Sequence, residues 1–289
     1  MLPTSKPNAN PLANFMRQPK IYIKLPSNGD FWPAGSLEKT ENGEYPVYSM
    51  TAKDELMLKV PDALMNGQAV VSTIEHCIPN IKNAWHVPNL DLDVLLIAIR
   101  IATYGEMMTV PVNLGPEKEF DYQLNLNILL DQLQSTISWD TAVSVNQDLT
   151  IHVKPINYKQ MTDSALKTFE TQKLIEIASK DGVPEDQKLK AFNESFEKLN
   201  AIAIGIVNQS VFAIESSAGA TDNTKHIQEF MENTDKEVFD RIRKHIDVLR
   251  ENNMIKPLEV DTSPEMREAG VQEDKISIPL VFDASTFFV

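Results

Sequence analysis

The sequence predicts an α+β protein, with a small β-rich and helical N-terminal domain followed by a long-helix hairpin or bundle and short terminal strands. Three observations predict it. Strand-prone runs bounded by turn residues fill residues 21–50, apolar residues at helical spacing dominate from residue 157, and short alternating runs return near the end. The chain therefore divides into an extended arm (1–20), an α+β region (21–156), a helical region with a long amphipathic helix (157–255) and a β-like tail (256–289).

Pro3, Pro7, Pro11 and Pro19 remove amide donors from the arm and disfavour helix, so it is either extended and ordered on a partner or a frayed terminus. Ile21-Tyr22-Ile23-Lys24-Leu25 reads as a strand, with turn chemistry at Asn28-Gly29 just after it. A second turn signal at Asn42-Gly43 leads into Tyr45-Pro46-Val47-Tyr48, which makes residues 21–50 a small β unit. Thr51 and Asp54 have the spacing of an N-cap and its acidic partner, so a short helix is expected from about Ala52 to Val60. Another begins near Asp62, breaks at Gly67 and resumes until Pro79 stops it.

The most apolar segment follows, Leu92 to Ala102. It is apolar on nearly all sides and is expected to be the core helix, with Asp91 and Asp93 favoured at the positive end of its dipole and Gly105 at its C-cap. Alternation in Met107 to Val112 pairs it with Phe120 to Leu124 across a loop containing Gly115-Pro116. Leu126 to Leu133 reads as a short helix and Thr150 to Pro155 as a strand.

Helical spacing in Met161, Leu166, Phe169, Leu174 and Ile177 stops at Asp181-Gly182 and resumes at Pro184. From there to about Ser217 the pattern predicts one amphipathic helix of roughly 50 Å. A polar loop, Ser216 to Asn223, and two N-cap candidates, Thr224 and Thr234, precede a last helix over Asp235 to Glu251. Leu258-Glu259-Val260 and Ile276 to Phe282 are strand-like, and the apolar end, Ser285 to Val289, either folds back onto the core or inserts into a neighbour.

A net charge of −14, from 41 acidic against 27 basic residues, argues against a nucleic-acid protein, whose affinity for phosphate rests on clustered Lys and Arg. The single cysteine, Cys77, excludes an internal disulfide framework and suits a reducing cytoplasm. Met1 to Asn14 lack the basic start and apolar run of a secretory signal, and no apolar run is long enough to cross a bilayer, so a soluble protein is expected.

No motif of nucleophilic, phosphate-binding, zinc-protease or dinucleotide chemistry is present. His76 and Cys77 are neighbours, but adjacent residues on a helix point about 100° apart, so a buried structural thiol is the expected role. The histidines are scattered and offer no close pair of zinc ligands. Carboxylates are plentiful, and no sugar-binding groove accompanies them, so no catalytic, cofactor-binding or metal-binding residue is expected.

Residues 22–33, Tyr-Ile-Lys-Leu-Pro-Ser-Asn-Gly-Asp-Phe-Trp-Pro, and residues 45–55 resemble a baseplate protein family of T4-type phages. Residues 61–67, 77–82 and 97–105 extend the resemblance through the core helix. It implies association with the central hub of a contractile-tail baseplate, as a component or as an assembly factor. Members of that group often carry CxxC pairs in the hairpin after the core helix, like a zinc ribbon; residues 110–120 hold no cysteine here, so the resemblance implies the strands without the metal.

The expected function is therefore a non-enzymatic hub component or hub assembly factor of the phage tail baseplate, working through contacts with other hub proteins or with itself. Two other readings stay open: a transient chaperone absent from the finished virion, and a cell-wall hydrolase of the tail tip. Tyr22, Leu25, Phe31, Trp32, Phe196, Phe212, Phe287 and Phe288 are the candidate partner-binding residues. The expected locations are the host cytoplasm during assembly and the tail baseplate of the virion if the protein is retained, with neither nucleic acid nor membrane as partner.

Overall fold

A computed structural model describes residues 12, 15–113, 119–134, 139–180, 184–268, 271–278, 280 and 287–288. Pro3, Pro7 and Pro11 of the arm, the Gly115-Pro116 loop, Asp181-Gly182, and the tail residues Val281, Phe282, Ser285, Thr286 and Val289 lie outside them. Strands β1 (Ile21–Lys24) and β2 (Glu44–Val47) pair antiparallel, Ile23 opposite Tyr45. Neither turn signal closes this pair directly. Asn28-Gly29 sits within the long connection, with Asn28 at φ 53 and Gly29 at φ 75, and Asn42-Gly43 leads into β2.

Helices α1 (Ala52–Leu58), α2 (Pro61–Met65), α3 (Gln68–Cys77) and α4 (Asn89–Tyr104) follow. The sequence explains their ends: Thr51 and Asp54 form a reciprocal capping box, Gly67 takes a left-handed φ of 78 between α2 and α3, and Gly105 caps α4. Most of α4 is buried, and it packs on α3, β1, β2 and α5 (Leu126–Gln134). The first hydrophobic core gathers Ile23, Val47, Ile74, Leu95, Ile99 and Leu129 around this helix. Strands β3 (Met107–Asn113) and β4 (Glu119–Asn125) form the expected hairpin, Met108 opposite Leu124.

A second core lies on a four-stranded antiparallel sheet in the order β5 (Ala142–Asn146), β6 (Leu149–Val153), β7 (Val211–Ser216), β8 (Gly219–Thr221). Between β6 and β7 run α6 (Tyr158–Ala178) and α7 (Glu185–Ser210), and after β8 come α8 (Thr224–Asn233) and α9 (Lys236–Asn253). Ile151, Ile214, Ile227, Ile242 and Ile246 fill this core. The sheet draws its strands from both sides of residue 156.

Three expectations are corrected here. The long helix ends at Ser210, not near Ser217, so its 26 residues span about 39 Å. Val211, Phe212 and Ile214 keep helical spacing, yet pairing with β6 puts Val211 and Ile214 in the second core, so tertiary contact overrides the local pattern. The polar loop after it is instead the β7–β8 hairpin. The N-caps are Asn223, whose side chain accepts from the Lys225 amide, and Asp235; Thr224 is the first helical residue and Thr234 the C-cap of α8.

Near the end, β9 (Leu258–Asp261) and β10 (Lys275–Ile278) pair antiparallel around α10 (Pro264–Glu268). Met266, Ile276 and Ile278 meet Val112 of β3 in a third core. Phe287 and Phe288 fold back into the first core, with the Arg100 guanidinium 5.6 Å from the centre of the Phe287 ring and the Tyr104 hydroxyl donating to the Phe288 carbonyl at 3.1 Å.

Candidate functional site

The quoted motif after β1 is fixed from beneath by one carboxylate. Asp91, fully buried in the first turn of α4, accepts from the Ser27 amide at 2.8 Å, the Ser27 hydroxyl at 2.5 Å and the Trp32 indole N–H at 2.8 Å. Ser27 Oγ in turn accepts from the Gly29 amide at 3.1 Å. Burial pushes the Asp91 pKa up to about 6, against the pull of the Ser27 and Trp32 donors, and Asp30 adds to the rise. Above that value the carboxylate is charged and its donors are charge-assisted.

This network holds Phe31 at φ 66, a left-handed conformation that costs a bulky residue about 1–3 kcal/mol and persists only where the surroundings fix it. Phe31 and Trp32 are half-buried, Phe31 edge-on to Trp139 with ring centres 6.5 Å apart. Tyr22 on β1 is 61% exposed. The result is a loop whose two half-buried aromatic rings are fixed from beneath, while Tyr22 stands exposed on the strand before it.

Before β1, Arg17 clamps the N-terminal segment. Its guanidinium donates to the Ser49 carbonyl at 2.5 Å and the His76 carbonyl at 2.6 Å, and stands 5.6 Å from the centre of the Tyr48 ring. His76 Nδ1 meets Asp54 Oδ1 at 2.8 Å, away from Cys77. The Cys77 thiol is buried and pushed up to about 12 by that burial and by Asp54, so it stays protonated and poorly nucleophilic.

The second exposed apolar surface lies on α6 and α7. Asn157 and Gln160 form a capping box at the start of α6, and buried Tyr158 stacks on Trp85 at 5.9 Å. The short connection after Ala178 returns α7 antiparallel to α6. Apart from Tyr158 and Val207, the buried residues of the two helices are small and polar, Thr171, Ser195 and Ser210. Several large side chains face outward: Leu189, Phe192 and Phe196 recur at helical spacing on α7, Phe196 65% exposed, and Leu174 and Ile177 are exposed on α6. A groove of about 430 Å³ between the helices is lined by Thr171, Leu174, Ala201, Ile202 and Gly205.

Of the eight candidate contact residues, Tyr22 and Phe196 stand exposed, and Phe31, Trp32 and Phe212 are half-buried. Phe212 lies on β7, not on the long helix, with its ring centre 6.0 Å from that of His152. Leu25, Phe287 and Phe288 are core residues. The structure joins Trp32 to Asp91, whereas Tyr22 and Phe196 belong to separate elements. Sequence reasoning missed Ser27 and Asp91 as the lock on this loop and Gly205 as part of a groove floor; for Asp91 the one local signal was an acid ahead of an apolar helix. Among the described residues, no group of three His, Cys, Asp or Glu side chains stands close enough to hold a metal ion, and no helix is long and apolar enough to cross a membrane.

A family model described as T4 bacteriophage base plate protein matches residues 16–261, from the Arg17 clamp through the locked loop and both hairpin helices to β9. No curated protein and no solved structure matches. The family match covers most of the chain, and on that ground the chain belongs to the T4 bacteriophage base plate protein family.

Proposed function

We propose that this baseplate protein is a non-enzymatic component or assembly factor of the baseplate hub, and that it binds other hub proteins through Tyr22 and the Phe31-Trp32 loop. The carrying observation is the strained backbone at Phe31, φ 66, held in place by the Asp91 network beneath it. A pre-organised aromatic surface loses little freedom on binding, and Tyr and Trp are enriched among the residues that dominate interface energies. The protein meets its partners in the host cytoplasm and stays in the tail baseplate where it is retained.

Co-expression with the other hub proteins, followed by size-exclusion chromatography with light scattering, tests this. The wild-type chain is expected to co-elute with at least one of them, and Tyr22→Ala combined with Phe31→Ala to lose that partner. Absence of any complex overturns the reading. Mass spectrometry of purified particles then separates a resident component, which is present, from an assembly factor that leaves.

A further inference from the structure

The register of β3 against β4 decides which of their backbone groups are free. Leu126 donates its amide to the Glu106 carbonyl at 2.8 Å, and the pairing continues in step from there, so the bonded positions are Met108, Val110 and Val112 of β3 and Phe120, Tyr122 and Leu124 of β4. The amides and carbonyls of the residues between them point away from the partner strand. On β3 one of these residues is Pro111, which has no amide to donate. On β4 they include Asp121 and Gln123, and among the described residues no hydrogen bond reaches their backbone groups.

Elsewhere the fold guards its edges. Pro46 faces outward on β2, and the outward Lys24 amide of β1 donates to Gln134 Oε1 at 2.6 Å. On β5 the Ala142 amide donates to Asp140 Oδ1 at 3.1 Å, and the Val145 carbonyl accepts from Arg241 at 2.5 Å. β8, β9 and β10 have only three or four residues each. β4, with seven, is the one long strand whose outer ladder is left unmade among the described residues. An unguarded edge is a template for another strand.

The side chains beside this edge select the strand. Phe120 and Tyr122 pack on the third core yet stay half-buried, so residues laid next to them gain by being apolar. Asp121 and Gln123 alternate with them and are exposed on the other face. Residues 105–134 carry five acids, Glu106, Glu117, Glu119, Asp121 and Asp131, against one base, Lys118. A basic residue at every second position of an incoming strand is therefore favoured beside Asp121, and an acidic one is repelled. A second copy of β4 brings its own acids to the same edge and is disfavoured on that ground.

We propose that the outer edge of β4 takes up, as an added strand, an extended segment of a partner protein in which apolar residues alternate with lysine or arginine. The segment's backbone supplies the missing ladder at Asp121 and Gln123, its apolar residues lie beside Phe120 and Tyr122, and its basic residues lie beside Asp121. The sheet grows from two strands to three. This site is separate from the Tyr22 and Phe31-Trp32 contact and is measured on the isolated chain, so either reading can fail without the other.

The probe is a labelled seven-residue peptide of alternating valine and lysine, the length of β4, titrated to about 1 mM against the full chain by fluorescence anisotropy. It is expected to bind at least about tenfold more tightly than the same peptide with glutamate in place of lysine. Amide hydrogen exchange is expected to slow at Asp121 and Gln123 in the complex. Gln123→Pro deletes an outward amide, leaves the β3–β4 bonds in place and is expected to weaken binding by about tenfold, whereas Thr109→Pro makes the same change on the β3 edge and leaves the affinity as it was. Asp121→Lys turns the preference toward the glutamate peptide, and this charge reversal decides alone should proline disturb the hairpin. The proposal is overturned if the lysine peptide fails to bind or binds no better than the glutamate peptide. It is overturned equally if a folded Gln123→Pro protein binds as wild type does, or if binding leaves the Asp121 and Gln123 amides exchanging as before. A dimer paired through β4 that the peptide does not displace also overturns it.

Discussion

Asp91 sets two opposing requirements against each other at one atom group. Burial favours the protonated acid, while three donors favour the carboxylate, and burial prevails enough to bring the pKa up to about 6. This folded value lies above the ordinary 3.8, so the folded protein holds the proton more tightly than the unfolded chain. The stabilisation is complete below pH 3.8 and is lost as pH rises through about 6. The full effect is about 3 kcal/mol. Asp54 works in the opposite sense. Burial raises it, but the bonds from His76 and Thr51 outweigh burial and hold it below 3.8, so its contribution is present above that value and lost on acidification through the lowered one. Urea unfolding at a series of pH values separates them: the wild type is expected to lose stability relative to Asp91→Asn as pH rises from about 4 to about 6. Trp32→Phe removes a donor to the charged form, so it pushes Asp91 higher and moves the window up in pH. Superimposable pH profiles for the three proteins would contradict the assignment. In the sequence, Asp91 reads only as an acid at the start of an apolar helix. Its donors come from a loop remote in the chain, and local pattern carries no signal for that meeting.

Helix ends test how far local chemistry controls the elements. Thr51→Ala removes the side chain that caps α1 and should lower stability by about 1 kcal/mol. Gly67→Ala should cost more, about 2 kcal/mol, because a Cβ there meets Thr162 Cγ2 at 3.1 Å and Tyr158 Cε1 at 3.2 Å while the backbone keeps its φ of 78. Denaturant midpoints of the two variants give the ranking, and a Gly67→Ala protein as stable as Thr51→Ala would argue that α6 is not seated on the α2–α3 junction. The same contrast explains which elements were legible. Thr51 with Asp54, Gly67, and Gly105 after the apolar run are signals carried by neighbours in sequence, and the elements they bound match the structure. β5 carries no strand signal in the sequence because Ala-Val-Ser-Val-Asn is short and half polar, as an edge strand is. β7 reads as helix in the sequence because its apolar residues continue the spacing of α7, and only pairing with β6 separates the two readings. The period-two alternation of Ile21-Tyr22-Ile23-Lys24-Leu25 that leaves Tyr22 in water also sets Leu25 on the buried face with Ile23, so the strand pattern itself marks Leu25 as a core residue and not a contact residue.

At the scale of the whole molecule, the chain closes on itself where it could have reached outward. Phe287 and Phe288 enter the core that α4 organises, far from them in sequence, and the sequence had left this open between self-packing and insertion into a neighbour. Both rings are at most 2% exposed. The hairpin of α6 and α7 shows the opposite distribution, with small polar residues inside and Phe196 outside. Two phenylalanines of one chain therefore make a controlled comparison. Phe287→Ala removes a buried ring from a packed core and should cost about 3–5 kcal/mol, through lost transfer energy and the cavity left between Arg100 and Phe288. Phe196→Ala removes a ring that the monomer leaves in water and should change stability by no more than about 0.5 kcal/mol. Urea unfolding at a concentration low enough to keep the protein monomeric reads both. If the two variants lose equal stability, the last residues are not part of the core. If only Phe287→Ala loses it, the end of the chain serves the fold, and Phe196 remains a surface whose value lies in what it meets.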